Sequence, residues 1–164
     1  RFNLAFGDTF VLPEEQIQSD TMLIPGTDGQ KMSKSRNNYI DIFLPEKLLR
    51  KQIMSIVSDS TPLEEPKNPD TCHTFALYKL LADDAQTDAM RANYIGGNYG
   101  YGHAKQALYE LILEKFAVQR TKFQELMDNP SQIDAALSIG ASKAKEVAAK
   151  VLKRTRSKLG YTIS

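Results

Sequence analysis

Residues 102–127 have the sequence GHAKQALYELILEKFAVQRTKFQELM, and their pattern decides the fold class. Apolar side chains recur here at intervals of three and four residues, which is typical of one face of an α-helix. The members of this face are Ala104, Leu108, Leu111, Ile112, Phe116, Phe123, Leu126 and Met127. The stretch therefore predicts one long helix of roughly 39 Å, at about 1.5 Å per residue.

Shorter helical patterns lie on both sides of this stretch. One helix is predicted to begin at Pro45, because proline favours the first helical position. Its apolar stripe consists of Leu48, Leu49, Ile53, Ile56 and Val57. Further helices are predicted over residues 71–81, 87–94, 131–137 and 142–159. We expect the last of them to bury Val147, Ala148, Val151 and Leu152. The chain from residue 45 onward is thus predicted to form a small helical bundle.

Residues 1–24 show a different pattern. Residues 1–6 resemble the end of a helix that Gly7 closes. Two short apolar segments, residues 9–12 and 21–24, stop at prolines and are predicted to be strands. Residues 1–24 are therefore predicted to have mixed structure, unlike the helical part of the chain from residue 45 onward.

The composition excludes several classes of protein. With 41% hydrophobic and 25% charged residues, the chain is typical of a globular protein and not of a disordered one. A single cysteine excludes an intramolecular disulfide, and Cys72, His73 and His103 are too few soft ligands for a structural zinc site. No apolar run approaches the ~18 residues of a membrane span, and no signal peptide is visible.

The near-neutral net charge of +1 hides a basic end. Residues 141–164 carry seven bases and one acid, whereas the remainder of the chain is acidic. Lys150, Lys153 and Arg154 form one stripe on the last predicted helix, because side chains three and four residues apart share a face. The charge alone leaves two interpretations open: a surface for a polyanionic partner, or a solvated helix face.

Residues 26–38 lack apolar periodicity and are predicted to form a long loop, which is often functional. Lys31, Lys34 and Arg36 alternate with Ser33 and Ser35, a combination that suits a phosphate anion. The loop is not a P-loop, since that motif has a different glycine spacing. A solvated basic turn is the alternative interpretation. We expect the loop to be mobile without nucleotide, because it has no apolar anchor and its positive charges repel one another.

Several motifs resemble one known family. Residues 31–35, KMSKS, match the signature of class I aminoacyl-tRNA synthetases at every position. The flanking PGTDGQ at 25–30 and NN at 37–38 resemble the bacterial tryptophanyl-tRNA synthetases in particular. Residues 53–61, IMSIVSDST, and residues 96–102, GGNYGYG, are also similar to that family. The resemblance extends over essentially the whole chain.

The resemblance implies a fold and an activity. Residues 1–44 would be the last strands and the KMSKS loop of a Rossmann-like catalytic domain, and residues 45–164 a mainly α C-terminal bundle that binds the anticodon. The enzyme would be a tryptophan–tRNA ligase that activates L-tryptophan with ATP and transfers it to tRNA(Trp). Lys31 and Lys34 would be catalytic, because charge develops on the leaving pyrophosphate. The implied ATP-binding residues are Met22, Lys31, Met32, Ser33, Lys34 and Ser35. The implied tRNA-binding residues are Lys150, Lys153 and Arg154.

The resemblance also implies partners. Mg²⁺ would be bound to the phosphates of ATP and not to this chain, which would hold no metal site. The whole protein would be a cytoplasmic homodimer. The second class I motif, HIGH, is missing, because neither His73 nor His103 fits it. We therefore expect the chain to correspond to the C-terminal portion, with most of the tryptophan pocket elsewhere and no activity on its own.

Two other hypotheses compete with this one. A free-standing helical tRNA-binding module without catalysis is the alternative that the sequence leaves open. A structural helical protein with a chance KMSKS is disfavoured, because the resemblance extends beyond the loop.

Overall fold

The computed structural model describes residues 1–16 and 23–161, and this part of the chain is mainly helical, as the sequence predicts. Its α-helices are α1 (Phe2–Phe6), α2 (Glu46–Met54), α3 (His73–Lys79), α4 (Asp84–Gly96), α5 (Tyr101–Lys115), α6 (Ala117–Asp128) and α7 (Pro130–Lys158). Two short 3-10 turns are present at Lys34–Arg36 and Pro69–Thr71.

The core forms where α5 packs against α2 and α3. The side chains of Leu108 on α5, and of Leu49 and Ile53 on α2, have no exposed surface, and Phe75 on α3 is also buried. The buried apolar side chains are Leu49, Ile53, Ile56, Cys72, Phe75, Leu77, Tyr78, Met90, Tyr94, Ala104, Leu108, Tyr109, Leu111 and Ile112. The predicted stripe of α2 is only partly correct, because Leu48 and Val57 are exposed.

The predicted long helix over residues 102–127 is wrong at one point, Phe116. There α5 ends and α6 begins, although no proline or glycine marks the break. The guanidinium of Arg120 on α6 donates hydrogen bonds to the carbonyls of Ile42 and Leu44. The ring of Phe123 stacks on Phe43, with centroids 4.6 Å apart. These contacts explain the break, because they hold α6 against residues 42–44.

The two predicted helices at 131–137 and 142–159 are instead one helix, α7. Gly140 lies between the two predicted helices, but a glycine inside a helix costs only about 1 kcal/mol relative to alanine. The Ser142 hydroxyl donates to the Ser138 carbonyl one turn earlier, at 3.0 Å. The expected inward face is also largely wrong, since Val147 is 65% and Leu152 is 49% exposed and Ala148 is exposed too, whereas Val151 is half-buried.

Residues 9–12 do not form the predicted strand. Within the described ranges no strand is present, and the single residue pairing of β type joins Pro25 and Lys31. Instead, the Asn3 side chain accepts from the N–H groups of Thr9 and Phe10 and donates to the Phe10 carbonyl at 2.7 Å. Val11 remains 90% exposed, so this segment lacks the neighbour that a strand requires. Half of the second predicted strand, residues 21 and 22, lies outside the described residues, and residues 23 and 24 do not form a strand.

The chain divides into two compact units. One contains residues 1–16 with residues 124–164, and the other contains residues 17–123. In the first unit, Phe2 packs against Phe6 and Phe10, and the Lys158 ammonium lies near Gly7. The second unit holds the core and the KMSKS loop, residues 26–38. No helix in the described part has the length and apolar character needed to cross a membrane.

Candidate functional site

Backbone hydrogen bonds close the base of the KMSKS loop. The Gly26 N–H donates to the Gln30 carbonyl at 2.7 Å, and the Met32 N–H donates to the Ile24 carbonyl at 2.8 Å. The antiparallel bridge between Pro25 and Lys31 lies at the same place. The chain thus enters and leaves the turn at 26–30 side by side, which gives the loop a defined base.

A buried amide, that of Asn38, joins three segments of the loop. Its side chain Oδ1 accepts from the Ser33 N–H at 2.7 Å. Its Nδ2 donates to Asp28 Oδ1 at 2.7 Å and to the Lys31 carbonyl at 3.1 Å. Its backbone carbonyl accepts from the Thr27 N–H at 2.8 Å. Since Asn38 is only 2% exposed, its side of these bonds is shielded from water, and the bonds set the path of the chain around the lysines.

Asp28 supplies the negative charge inside the loop. The hydrogen bond from Asn38 holds the pKa of this carboxyl below its ordinary value, and the Gln30 N–H and the Arg36 charge act in the same direction. The carboxylate is therefore ionised near neutral pH and engaged by neighbours within the loop.

Two glycines allow the loop to approach its surroundings closely. A Cβ at Gly26 would lie 2.5 Å from the side chain and carbonyl of Asn38. Gly29 has a φ of +79°, and a Cβ there would lie 2.3 Å from Nε2 of His73. Any larger residue would displace either the Asn38 amide or the His73 ring.

The predicted catalytic residues Lys31 and Lys34 are both exposed. Among the described residues, neither ammonium group has a hydrogen-bond or ion-pair partner. Ser33 and Ser35 lie beside them, with their Oγ atoms 2.8 Å apart. The 3-10 turn Lys34–Arg36 adds the exposed Arg36. The structure thus brings three positive charges and two hydroxyls together on one short, solvent-facing segment, a composition that suits a polyphosphate.

Met32 is the apolar member among the predicted ATP-binding residues of the loop. Its side chain is partly buried and packs against the hydrophobic core, where it lines an apolar cavity of about 340 Å³ with Ile24, Ile40 and Leu77 among others. The expectation that the loop has no apolar anchor is therefore wrong. Since Met32 lies between the two lysines, its burial attaches the middle of the motif to the helical core. Met22, the remaining predicted ATP-binding residue, lies outside the described residues.

A second cavity, of about 380 Å³, lies next to the loop and is lined by Val57, Ser58, Asp59, Thr71, Cys72, His73 and Tyr101. The Val57 N–H donates to the Thr27 carbonyl at 2.8 Å and so ties the loop to the segment after α2. Tyr101 donates its hydroxyl proton to Asp59 Oδ1 at 2.7 Å. Hydrogen bonds from Thr61 and from Tyr101 lower the pKa of Asp59. Burial, together with the bond to Asp59, raises the pKa of Tyr101 to about 12.

The predicted tRNA-binding residues lie on α7, in the other unit. Lys150, Lys153 and Arg154 are exposed. Lys150 forms an exposed ion pair with Glu146 at 3.3 Å, whose strength in water is small. The stripe expected from the sequence spacing is present, and its charges face solvent.

The side chains of Cys72 and His103, which the sequence offers as soft ligands, make contacts within the fold. Cys72 is a buried thiol whose Sγ lies 3.3 Å from the Tyr94 hydroxyl. His103 Nδ1 accepts from the Gly100 N–H at the start of α5. Tyr94, between these elements, is only 1% exposed and packs against Tyr99. No group of three or more His, Cys, Asp or Glu side chains within the described ranges is placed to hold a metal ion.

Two residues that shape the loop, Asn38 and His73, are not identified as such by the sequence. Asn38 is one of two adjacent asparagines, and composition does not tell which of them is buried. His73 lies far from the loop in sequence. The only sequence signal for its contact is Gly29, because an unexplained glycine marks a place of close approach.

Comparison with known proteins shows which family the chain resembles. The family described as "tRNA synthetases class I (W and Y)" matches residues 1–117. The tryptophan–tRNA ligase of Rhodopirellula baltica is 46% identical over 159 residues, which cover 97% of this chain and 50% of that protein. The tryptophan–tRNA ligase of Fusobacterium nucleatum is 44% identical over 98% of this chain and 49% of its own length.

A solved structure is also similar. The crystal structure of tryptophanyl-tRNA synthetase from Campylobacter jejuni, complexed with ADP and tryptophan, superposes with a TM-score of 0.82. It is 42% identical, and the match covers 96% of this chain and 50% of that one. The chain thus spans about half the length of the curated relatives it matches.

Proposed function

This chain belongs to the class I tRNA synthetases of the tryptophan and tyrosine group. We therefore propose that it forms part of a tryptophan–tRNA ligase. The resemblance seen in the sequence is confirmed at the level of the family. The protein that contains this chain joins L-tryptophan to tRNA(Trp) at the expense of ATP. The loop at 26–38 acts on the triphosphate in the first step.

The chemistry of that step explains the composition of the loop. A carboxylate oxygen of tryptophan attacks the α-phosphorus of ATP, and the bond to the oxygen that bridges the α- and β-phosphates breaks. Pyrophosphate leaves with that electron pair, and tryptophanyl-adenylate remains. Negative charge grows on the leaving group, so preorganised cations beside it lower the barrier. In the second step a ribose hydroxyl of the tRNA attacks the aminoacyl carbonyl, and AMP leaves.

One observation carries the proposal: Lys31 and Lys34 are exposed and unpaired among the described residues, on a loop whose backbone the Asn38 side chain holds through Ser33 and Asp28. Both charges are thus available to an anion, while the backbone that bears them is ordered in advance. We assign Lys34 to the charge that develops in the transition state. Lys31, Ser33 and Ser35 would contact the phosphates, and Met32 anchors the motif.

The donor set fits a phosphate and does not fit a metal. The one carboxylate of the loop, Asp28, is engaged by Asn38 and by the Gln30 N–H. Mg²⁺ would therefore reach this site on the phosphates of ATP, as part of the substrate, and no residue of the loop is assigned to it.

The domain assignment is part of the proposal. Residues 1–44 would belong to the Rossmann-like catalytic domain, and residues 45–164 to the helical anticodon-binding domain. The exposed basic stripe Lys150, Lys153 and Arg154 supports contact with the backbone of tRNA(Trp). The homodimer and the cytoplasmic location expected from the family stay predictions.

The same exposed stripe favours the second candidate, a helical tRNA-binding module without catalysis. A chimera distinguishes the two functions. This chain would replace the matching half of the R. baltica tryptophan–tRNA ligase, and tryptophan-dependent exchange of labelled pyrophosphate into ATP would be measured. Exchange that exceeds a Lys31→Ala/Lys34→Ala control by at least about 100-fold is expected. Binding of tRNA(Trp) without any exchange would favour the module.

This chain alone is expected to give no exchange above the same loop-variant control. Its sequence lacks the HIGH motif, and positioning of two reactants contributes several orders of magnitude to such a rate. Exchange by the purified 164-residue chain would contradict this division of the active site.

A further inference from the structure

The ring of His73 lies directly against the backbone of the KMSKS loop at Gly29. A Cβ at Gly29 would meet three ring atoms of His73, at 2.3 Å from Nε2, 2.8 Å from Cδ2 and 2.9 Å from Cε1. The edge of the imidazole therefore fills the space that a side chain at position 29 would need. The contact joins α3 to a loop more than forty residues earlier in the chain.

Gly29 belongs to the part of the loop on which the lysines depend. Its N–H donates to the Gly26 carbonyl at 3.0 Å and closes the turn. The residue before it, Asp28, accepts from Asn38, and Asn38 in turn binds the Lys31 carbonyl. A displacement of Gly29 is therefore transmitted through two hydrogen bonds to the backbone of Lys31.

His73 is itself held rigidly. It is the first residue of α3, between the buried Cys72 and the completely buried Thr74, and α3 packs on α5. Within the described residues, the imidazole makes no hydrogen bond and no ion pair. The contact between His73 and Gly29 is thus a van der Waals contact. It joins a fixed ring to a loop that carries clustered positive charges.

We propose that His73 is a positioning residue for the KMSKS lysines: its ring supports the turn at Gly29 and so keeps Lys31 and Lys34 oriented for the triphosphate. This role rests on the proposed function, but the ordering of the loop does not. The ring acts through its shape, so a phenyl ring at position 73 preserves the support, and alanine removes it.

The order of the loop is measured on the 164-residue chain by limited trypsin digestion, with mass spectrometry of the peptides that end at Lys31, Lys34 and Arg36. His73→Ala is expected to raise the initial rate of cleavage at these sites by about fivefold or more, through local opening, with an unchanged melting temperature. His73→Phe is expected to cleave at nearly the wild-type rate. His103→Ala, the same chemical change away from the loop, is the matched control.

The Gly29→Ala variant tests direct contact. It is expected to accelerate loop cleavage, and adding His73→Ala to it is expected to produce little further acceleration, because both changes break the same contact. Additive effects would overturn direct coupling. Cleavage of His73→Ala at the wild-type rate, or equal acceleration in His103→Ala with a lowered melting temperature, would overturn the ordering role.

The effect on chemistry is measured in the R. baltica chimera. His73→Ala is expected to lower kcat for pyrophosphate exchange about tenfold with little change in KM for tryptophan, and His73→Phe is expected to restore kcat. A wild-type kcat in His73→Ala would overturn the positioning role. If the unmodified chimera shows no exchange, the proposed function fails, and the digestion results alone decide whether His73 orders the loop.

Discussion

Single residues determine what the loop presents to an anion. The two lysines lie on either side of Met32, whose side chain packs against the core. The backbone of the motif is thus attached at its centre, while the charges on both sides face solvent. The side chain of Asn38 adds hydrogen bonds to Asp28 and Ser33, on either side of Lys31 and Met32. The positive charges repel one another, but the buried attachments offset this repulsion and keep the charges close together.

Lys34→Ala in the chimera is expected to lower the rate of adenylate formation by ~10²–10³, equivalent to about 3–4 kcal/mol. The affinity for ATP should change much less, because the charge that Lys34 meets grows only in the transition state. Rate and affinity are measured by pre-steady-state kinetics and equilibrium dialysis. Lys47→Ala, an exposed lysine on α2, is the control. Equal losses in rate and affinity would assign Lys34 to ground-state binding.

Asn38→Ala is expected to release the loop without unfolding the core. The Ser33 N–H, whose bond is partly buried, loses its acceptor, and a hydrogen-bonding group left without a partner in this way costs up to about 1–3 kcal/mol. Amide exchange at Ser33 should accelerate, and the pKa of Asp28 should rise toward its ordinary value, because the bond from Asn38 is the main cause of its lowering. Both quantities are measured by NMR. An unchanged Asp28 pKa would contradict the network, and Asn93→Ala on α4 is the control.

At the scale of elements, the break between α5 and α6 and the continuity of α7 have different causes. The start of α6 as a separate helix is determined by tertiary contacts, since Arg120 and Phe123 bind residues 42–44. The continuity of α7 is determined by local hydrogen bonding. The small residues around Gly140 destabilise the helix by less than the turns on either side stabilise it.

Arg120→Met is expected to lower the free energy of unfolding by about 1.5–3 kcal/mol, since two hydrogen bonds from a charged group are removed. Those bonds reach the carbonyls of Ile42 and Leu44. Urea unfolding followed by circular dichroism measures the change. Gln119→Met, on the same helix and exposed, should stay within about 0.5 kcal/mol of the parent. A similar loss in both variants would refute a specific role for Arg120.

Replacing Lys150, Lys153 and Arg154 on α7 with alanine is expected to weaken binding of tRNA(Trp) and to flatten its salt dependence. Every phosphate that the variant no longer neutralises should reduce the slope of log K against log salt by about 0.7–0.9. Filter binding at several salt concentrations measures the slope. Lys145→Ala, an exposed lysine on another face of α7 by helical spacing, is the control. An equal decrease in slope per charge on both faces would identify the stripe as merely solvated.

For the whole molecule, three carboxylates couple stability to acid pH. Asp28, Asp59 and Asp70 have lowered pKa values, mainly through hydrogen bonds from Asn38, Thr61 and Arg91, respectively. A carboxyl whose pKa is lower in the folded state than in the unfolded state contributes stability above its unfolded pKa. That contribution is lost as the pH falls through the folded pKa.

The free energy of unfolding is therefore expected to be level from pH 7 to about pH 5 for these groups and to fall below about pH 4. Urea unfolding at stepped pH measures it. In Asp70→Asn, which leaves Arg91 without its ionised partner, the fall below pH 4 should be shallower. A parent stability that rises between pH 4 and pH 3 would have the wrong sign for all three groups.

Local patterns in the sequence suffice for the helical class, the position of the loop and the exposed basic stripe. The helical class follows from the apolar spacing in residues 102–127, and the loop from the absence of such spacing in residues 26–38. The stripe follows from charges three and four residues apart on α7. Lys31 and Lys34 are singled out by the resemblance of the contiguous KMSKS motif to a family signature, and not by spacing alone.

How that motif is held depends on tertiary contacts that no local pattern contains. The burial of Met32, the choice of Asn38 over Asn37 as the buried amide, and the contact of His73 with Gly29 join residues distant in sequence. The break at Phe116 has the same origin, because it depends on carbonyls at 42 and 44. Periodicity in the sequence indicates which face of an element is apolar. It does not indicate which other segment packs against that face, and the burial of Met32 and Asn38, the His73 contact and the break at Phe116 all depend on such packing.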